Sequence, residues 1–201
     1  MATKRIAVLG GPRCGKTTLI QHLYVEMKIA GLNVGYAFEY STDYLKDKGM
    51  IETISEQYGI YLGQKRIEDE LSSFDYALTD YATFVPYIYG RFMLGDKQRT
   101  KKEIQILKDL YCLAIEDIPN YDMIVYIPRE FGYVQDGIRW QDEEVALKID
   151  EAILNFLNAE NIKYVRVTGS TKERAKQILD ILDINYKETP QLNDSKDGDD
   201  K

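Results

Sequence analysis

A chain of 201 residues, 44% hydrophobic and 29% charged, with a formal net charge of −7, can bury its own core but is too polar for a membrane span. No run reaches the ~20 apolar residues that a transmembrane helix needs, residues 1–5 carry no apolar leader, and a cytoplasmic protein without membrane contact is expected. Two distant cysteines, Cys14 and Cys112, and a single histidine, His22, exclude a disulfide framework and a multi-histidine metal centre, and leave little room for a Ser/His triad.

Residues 5–9 are a short apolar run that ends on Gly10-Gly11, the pattern of a buried parallel strand. Leu19, Ile20, Leu23 and Met27 then recur at helical spacing, with Gly31 as the stop. Residues 33–39 read as a second strand. Residues 43–72 read as mainly helical, with Ile51, Ile54, Tyr58 and Leu62 on one face. Residues 74–80 are a weaker third strand, and residues 83–117 are helices broken at Gly95-Asp96. Residues 122–127 form a strong fourth strand, which Pro128 stops, and residues 129–141 read as a loop. Val145, Ile149, Ile153, Phe156 and Leu157 mark the next helix. Residues 163–167 are the fifth strand, and Ser170-Thr171-Lys172-Glu173 is a capping box opening a last helix through Ala175, Ile178, Leu179 and Leu182.

Strands that alternate with helices specify an α/β fold with a parallel sheet. One domain over residues 1–188 is expected. Residues 189–201 lack apolar periodicity and read as a disordered acidic tail, whose last ten residues hold four Asp against two Lys. Part of the negative charge is therefore local to the tail. Tyrosine is in excess, 16 against 6 Phe and 1 Trp, and composition alone gives no reason for it.

Gly10, Gly11, Pro12, Arg13, Cys14, Gly15, Lys16 and Thr17, followed by Thr18, match G-x-x-x-x-G-K-[ST], the Walker A phosphate loop, between a strand and a helix. The chemistry requires this order. The glycines let the backbone curl so that successive N–H groups face phosphate oxygens, and the helix N-terminus adds its dipole. Lys16 supplies positive charge to the terminal phosphates, and the Thr17 hydroxyl can ligate Mg²⁺. A carboxylate at a neighbouring strand end normally completes the metal site; Asp80 is the candidate, with a helix N-cap as its ordinary alternative. Asp122 begins its strand and so stands at the wrong edge.

The loop alone does not separate kinases from switches and motors. Thr171-Lys172-Glu173-Arg174 lacks the Asp of a guanine-reading element, and no Asp-x-x-Gly switch is evident. A kinase needs an acceptor pocket and a segment that closes over it. Glu39 and Asp43, after the second strand, are candidates to orient and deprotonate an acceptor hydroxyl, against the plainer reading as a solvated residue and a cap. Tyr40, Tyr44, Tyr81, Tyr87 and Tyr89 flank them and can stack on a planar base or simply pack. Arg129 and Arg139 frame a loop from which either can reach a transferring phosphoryl group, against the reading as solvated loop residues.

These elements resemble the P-loop kinase-like (AAA-type ATPase domain) family that includes the ribosylnicotinamide kinase domain of the bifunctional bacterial NAD-biosynthesis regulator. The resemblance rests on the Gly10–Thr17 loop, Glu39-Tyr40, Thr79-Asp80, the segment Tyr133-Val134-Gln135-Asp136-Gly137-Ile138-Arg139, and Val165-Arg166-Val167-Thr168-Gly169, and it runs over roughly residues 4–183. It implies a P-loop NTPase three-layer sandwich with a central, mostly parallel five-stranded sheet and a small lid. It also implies ATP and Mg²⁺ as cofactors, and a nucleoside-like or nucleotide small molecule as acceptor. Lys16 and Thr17 would bind phosphate and metal, Arg139 would be a lid arginine, and Gly169 to Lys172 would lie beside adenine. Two departures stand out: Ser41-Thr42-Asp43 follows Glu39-Tyr40 where the family carries an arginine-containing stretch, and Val145 stands where a second arginine is typical. No adenylyltransferase domain is expected beside the kinase unit.

Two further readings stay open. One is a kinase of nucleotide monophosphates or of modified bases in DNA, with residues 97–102 holding a phosphate backbone, although that basic cluster reads more simply as a solvated loop. The other, prompted by the missing arginines, is a nucleotide-dependent switch or regulatory ATP-binding module. The sequence leaves the acceptor's identity, the choice of ATP over GTP and the oligomeric state undecided.

Overall fold

Alternation along a strand buried from Ile6 to Leu9 decides how this chain folds. In β1 (Lys4–Leu9), Ile6 and Val8 face one side of the sheet and Ala7 and Leu9 the other, and all four are inaccessible to solvent. Each side is then covered by helices, so that β1 belongs to both hydrophobic cores. In the computed structural model, which describes residues 2–95, 100–130 and 143–184, β1 is joined by β2 (Val34–Ala37), β3 (Tyr76–Asp80), β4 (Met123–Tyr126) and β5 (Val165–Arg166). Every pairing is parallel and the order is β2-β3-β1-β4-β5.

One layer holds α1 (Lys16–Ile29) and α7 (Thr171–Ile181), which deliver Leu19, Ile20, Leu23, Met27, Ile178 and Leu179 to the first core. The opposite layer holds α4 (Val85–Leu94), α5 (Lys101–Asp117) and α6 (Glu143–Ala159), which bring Ile88, Ala114, Ile149, Ile153 and Leu157 to the second. Phe84 anchors that side, stacked on Phe156 with centroids 5.8 Å apart. The expected three-layer α/β sandwich is the observed one, with the sheet wholly parallel.

Between β2 and β3, the region expected to be mainly helical over residues 43–72 holds α2 (Tyr40–Lys48) and α3 (Ile54–Asp69). The expected apolar face is corrected here. Ile54 is buried, but Tyr58 and Leu62 are 41% and 51% exposed, and α3 turns Gln57, Ile60, Tyr61, Gln64 and Glu68 inward instead. Capping boxes close the N-termini of α3, α5 and α7 through the pairs Thr53/Glu56, Thr100/Glu103 and Ser170/Glu173. The closing segment with Arg139 and Tyr133, the basic residues 97–99, and the tail lie outside the described residues. Among the described residues, no helix is long and apolar enough to cross a membrane.

Candidate functional site

In a sheet with all strands parallel, the carboxyl ends share one edge, and loops that leave that edge gather functional groups. The Gly10–Thr17 loop leaves it from β1. Gly15, at φ 94°, forms the left-handed N-cap of α1, a conformation that side chains resist. Lys16 is 4% exposed and folds back inside the loop, its Nζ donating to the carbonyls of Gly10 (3.2 Å) and Gly11 (3.0 Å) and lying 4.2 Å from the centroid of the Tyr81 ring. The Thr17 hydroxyl donates to Asp80, which is 1% exposed at the end of β3. Asp80 does not cap a helix, since α4 begins at Val85. Thr18 is exposed on the first turn of α1.

Long-range contacts that no local motif announces brace the loop. Asp150 on α6 accepts from the Gly11 amide at 2.6 Å and from the Tyr126 hydroxyl at 2.8 Å. A Cβ on Gly11 would come within 2.8 Å of the Asp150 Cβ, so glycine is what lets α6 approach. Arg129, after β4, donates through Nη2 to the Pro12 carbonyl at 2.6 Å. Arg174 of α7, 2% exposed, donates to the Cys14 carbonyl at 3.1 Å and to Glu130 at 2.8 Å. Glu130 also accepts from the Gly169 amide at 2.7 Å, and the Arg174 guanidinium, followed by that amide, holds its carboxyl below the usual glutamate range. Gly169 is thereby tied to the phosphate loop through two side chains, and Lys172 is exposed on the first turn of α7. Arg13 takes a positive φ of 64° within the loop. Cys14 is 2% exposed, and burial raises its thiol pKa, so it sits there as a neutral packing group.

Beside the loop, a cleft runs between α2, α3 and α4. Its polar lining is Glu39, Ser41, Gln57, Gln64, Tyr81 and Tyr89; Leu45, Ile60, Val85, Phe92 and Met93 supply much of the rest. Glu39, half-buried at the N-cap of α2, accepts a hydrogen bond from the Ser41 hydroxyl. Asp43 does not reach the cleft: it is exposed and pairs with Lys46 at 3.0 Å. Of the flanking tyrosines, only Tyr81 and Tyr89 line the cleft, their hydroxyls 3.3 Å apart. Tyr44 bonds to Glu56, Tyr87 packs on Tyr111 and Phe156, and the Tyr40 ring packs on Gly63.

Beneath the cleft runs a buried polar chain. The Tyr40 amide donates to Gln64 Oε1 (3.0 Å), and Gln64 Nε2 donates to Glu68 Oε1 (2.9 Å). The Tyr121 hydroxyl donates to Glu68 Oε2 (2.8 Å) and accepts from the Thr83 amide (2.8 Å). Burial pushes the Glu68 carboxyl up to about 7. Sequence reasoning missed Gln57, Gln64, Glu68, Asp150 and Arg174. Only Arg174 gave a signal, a cation four residues past the Ser170 cap, and it did not point to the loop.

A family model described as an AAA domain matches residues 5–174. No curated protein matches the chain in sequence. Among solved structures, the NadR protein in complex with NR is similar over 92% of this chain, with a TM-score of 0.75 and 18% identity, and the NadR protein in complex with NAD and AMP-PNP over 93%, with 0.73 and 16%. The chain covers 53% and 51% of those two proteins, about half their length. Thymidylate kinase from Candida albicans is similar over 90% of this chain and 92% of its own, with a TM-score of 0.64 and 14% identity.

Proposed function

Because the chain belongs to the AAA domain family and has the P-loop nucleoside-triphosphate-binding fold, we propose that it is an ATP- and Mg²⁺-dependent kinase that transfers the γ-phosphoryl group to a hydroxyl of a nucleoside-like small molecule. One observation carries this reading. Tyr81 walls the acceptor cleft and also holds Lys16 against its ring, so the cleft begins where the phosphate site ends. A molecule in the cleft therefore sits next to the terminal phosphate, and the reaction becomes a matter of positioning.

The residues present suit the implied groups. Thr17 and Asp80 are a hard hydroxyl and a buried carboxylate, already in contact, and Mg²⁺ takes few protein ligands because it keeps water and phosphate oxygens. When bound, the metal neutralises charge on the phosphate oxygens. Lys16 would exchange its two carbonyl partners for those oxygens. The backbone amides at the start of α1 would cradle them, and Gly169 to Lys172 would border the base. Glu39, the sole carboxylate on the described lining of the cleft, would accept the proton of the acceptor hydroxyl, with Ser41 holding the carboxylate in place. Arg129, on the Pro12 carbonyl, stands at the loop's rim for the phosphoryl group; Arg139 lies outside the described residues. Among the described lining residues there is no Lys or Arg to hold an acceptor phosphate, which favours a nucleoside over a nucleotide monophosphate or DNA. The NadR protein with NR and thymidylate kinase are the nearby precedents in fold.

The test is ADP release with ATP-Mg²⁺ and a panel of nucleosides. We expect acceptor-dependent turnover, which Lys16→Ala reduces by about 100-fold or more. ATP binding with no response to any acceptor would instead support a switch or regulatory module. A salt-dependent DNA affinity would revive the nucleic-acid reading.

A further inference from the structure

Buried polar side chains are nearly always matched by good partners, and the neighbours of Gln57 along the cleft and beneath it illustrate this. Gln64 is bonded at both ends of its carboxamide, Glu68 at both oxygens, and Thr83 at its amide and hydroxyl. Gln57 is buried as deeply, at 2% exposure, and lines the same cleft. Yet among the described residues its only hydrogen bond runs from Nε2 to the Met93 thioether at 3.4 Å. Sulfur is a weak acceptor, and it does nothing for the other half of the carboxamide. Exchanging the amide's oxygen and nitrogen leaves the same deficit, since sulfur is no donor.

A carboxamide placed this way offers one donor and one acceptor side by side. Its complement is a planar edge that offers the same pair reversed. Much of the remaining wall is apolar or aromatic, as suits the faces of a heterocycle, and the Glu39 carboxylate suits the sugar hydroxyl.

We propose that Gln57 determines acceptor specificity by pairing its carboxamide with a base edge that carries an adjacent donor and acceptor, so that the substrate is a nucleoside with such an edge. This rests on the kinase reading above and goes further, because it names the group that selects among nucleosides.

The experiment compares kcat/KM for matched acceptors. Inosine and adenosine are set against purine riboside, and uridine and cytidine against the pyrimidin-2-one riboside; the second member of each set keeps ring and ribose and lacks the edge group. The native chain is expected to prefer the edge-bearing member of at least one set by about 10- to 100-fold. Gln57→Met, which keeps length and volume, should bring that ratio to within about threefold. Gln57→Asn, which retracts the same carboxamide by one methylene, serves as the second variant should Gln57→Met lose its cooperative melt. A native enzyme that turns over nucleosides without preference overturns the proposal, and so does a preference that survives both variants. If ATP binds but no nucleoside is phosphorylated, the kinase reading fails and this assignment with it, an outcome distinct from the other two.

Discussion

Glu68 lies at 1% exposure between the Gln64 amide and the Tyr121 hydroxyl, with Arg5 of β1 and Asp117 of α5 facing it. Burial outweighs these hydrogen bonds and the Arg5 charge, and lifts the carboxyl from its ordinary 4.5 to about 7. The folded value stands above the unfolded one, so the folded chain holds the extra proton. The associated stability is complete below about pH 4.5 and disappears as pH rises through about 7. The full span is worth about 3 kcal/mol. Glu68→Gln copies the protonated form, with its amide able to donate to the Tyr121 oxygen. Between about pH 5 and pH 8 the native chain should lose about 2.5 kcal/mol more than the variant in urea unfolding, and the variant should be the more stable at the higher pH. Equal slopes for the two would show that Glu68 titrates normally in the folded chain.

At the level of elements, the contact between α6 and the phosphate loop depends on a missing methyl group. In Gly11→Ala, the added Cβ would lie 2.8 Å from the Asp150 Cβ and 3.1 Å from the Ala146 carbonyl, both held on α6, so the helix or the loop must move. The Gly11 amide would then leave Asp150. We expect a loss of about 1–3 kcal/mol, or ~2–12 °C in melting temperature for a domain of this size, together with weaker ATP binding. An unchanged melt with unchanged ATP affinity would mean that α6 does not press on the loop. The same contact shows why sequence reading stopped where it did. The strand–loop–helix around Lys16 is written in consecutive residues, and so is the Ser170 capping box, since glycine conformation and caps are local physics. Asp150 reaches Gly11 across 139 positions, and Arg174 reaches Cys14 across 160, which no local pattern encodes. Helix α3 failed differently. Apolar periodicity selected Tyr58 and Leu62, whereas the buried face carries Gln57, Gln64 and Glu68, and hydrogen bonds invisible to hydropathy offset the desolvation of the last two. The face that the hydropathy pattern got wrong is the face that lines the cleft beside the phosphate loop.

Over the whole molecule, the two hydrophobic cores meet on β1, and the phosphate loop that continues β1 is held by α6 through Asp150, by α7 through Arg174 and by the segment after β4 through Arg129. A ligand that orders this loop therefore acts on elements from both layers at once. Binding to the folded chain alone adds RT ln(1 + [L]/Kd), about 2.7 kcal/mol when ATP-Mg²⁺ stands at ~100 times its Kd, which for a domain of this size is ~5–11 °C. The shift should appear as one cooperative transition, because neither core can open without parting from β1. Lys16→Ala should remove most of it if, as proposed, the ammonium that now rests on the Gly10 and Gly11 carbonyls is the charge that meets the phosphates. Scanning calorimetry with and without ATP-Mg²⁺ reads both quantities. A single transition that moves in the native chain and stays in place in Lys16→Ala supports the phosphate site and its coupling to both layers. An equal shift in the two chains would put the nucleotide elsewhere, and a second transition that ignores ATP would show that one layer unfolds independently of the loop.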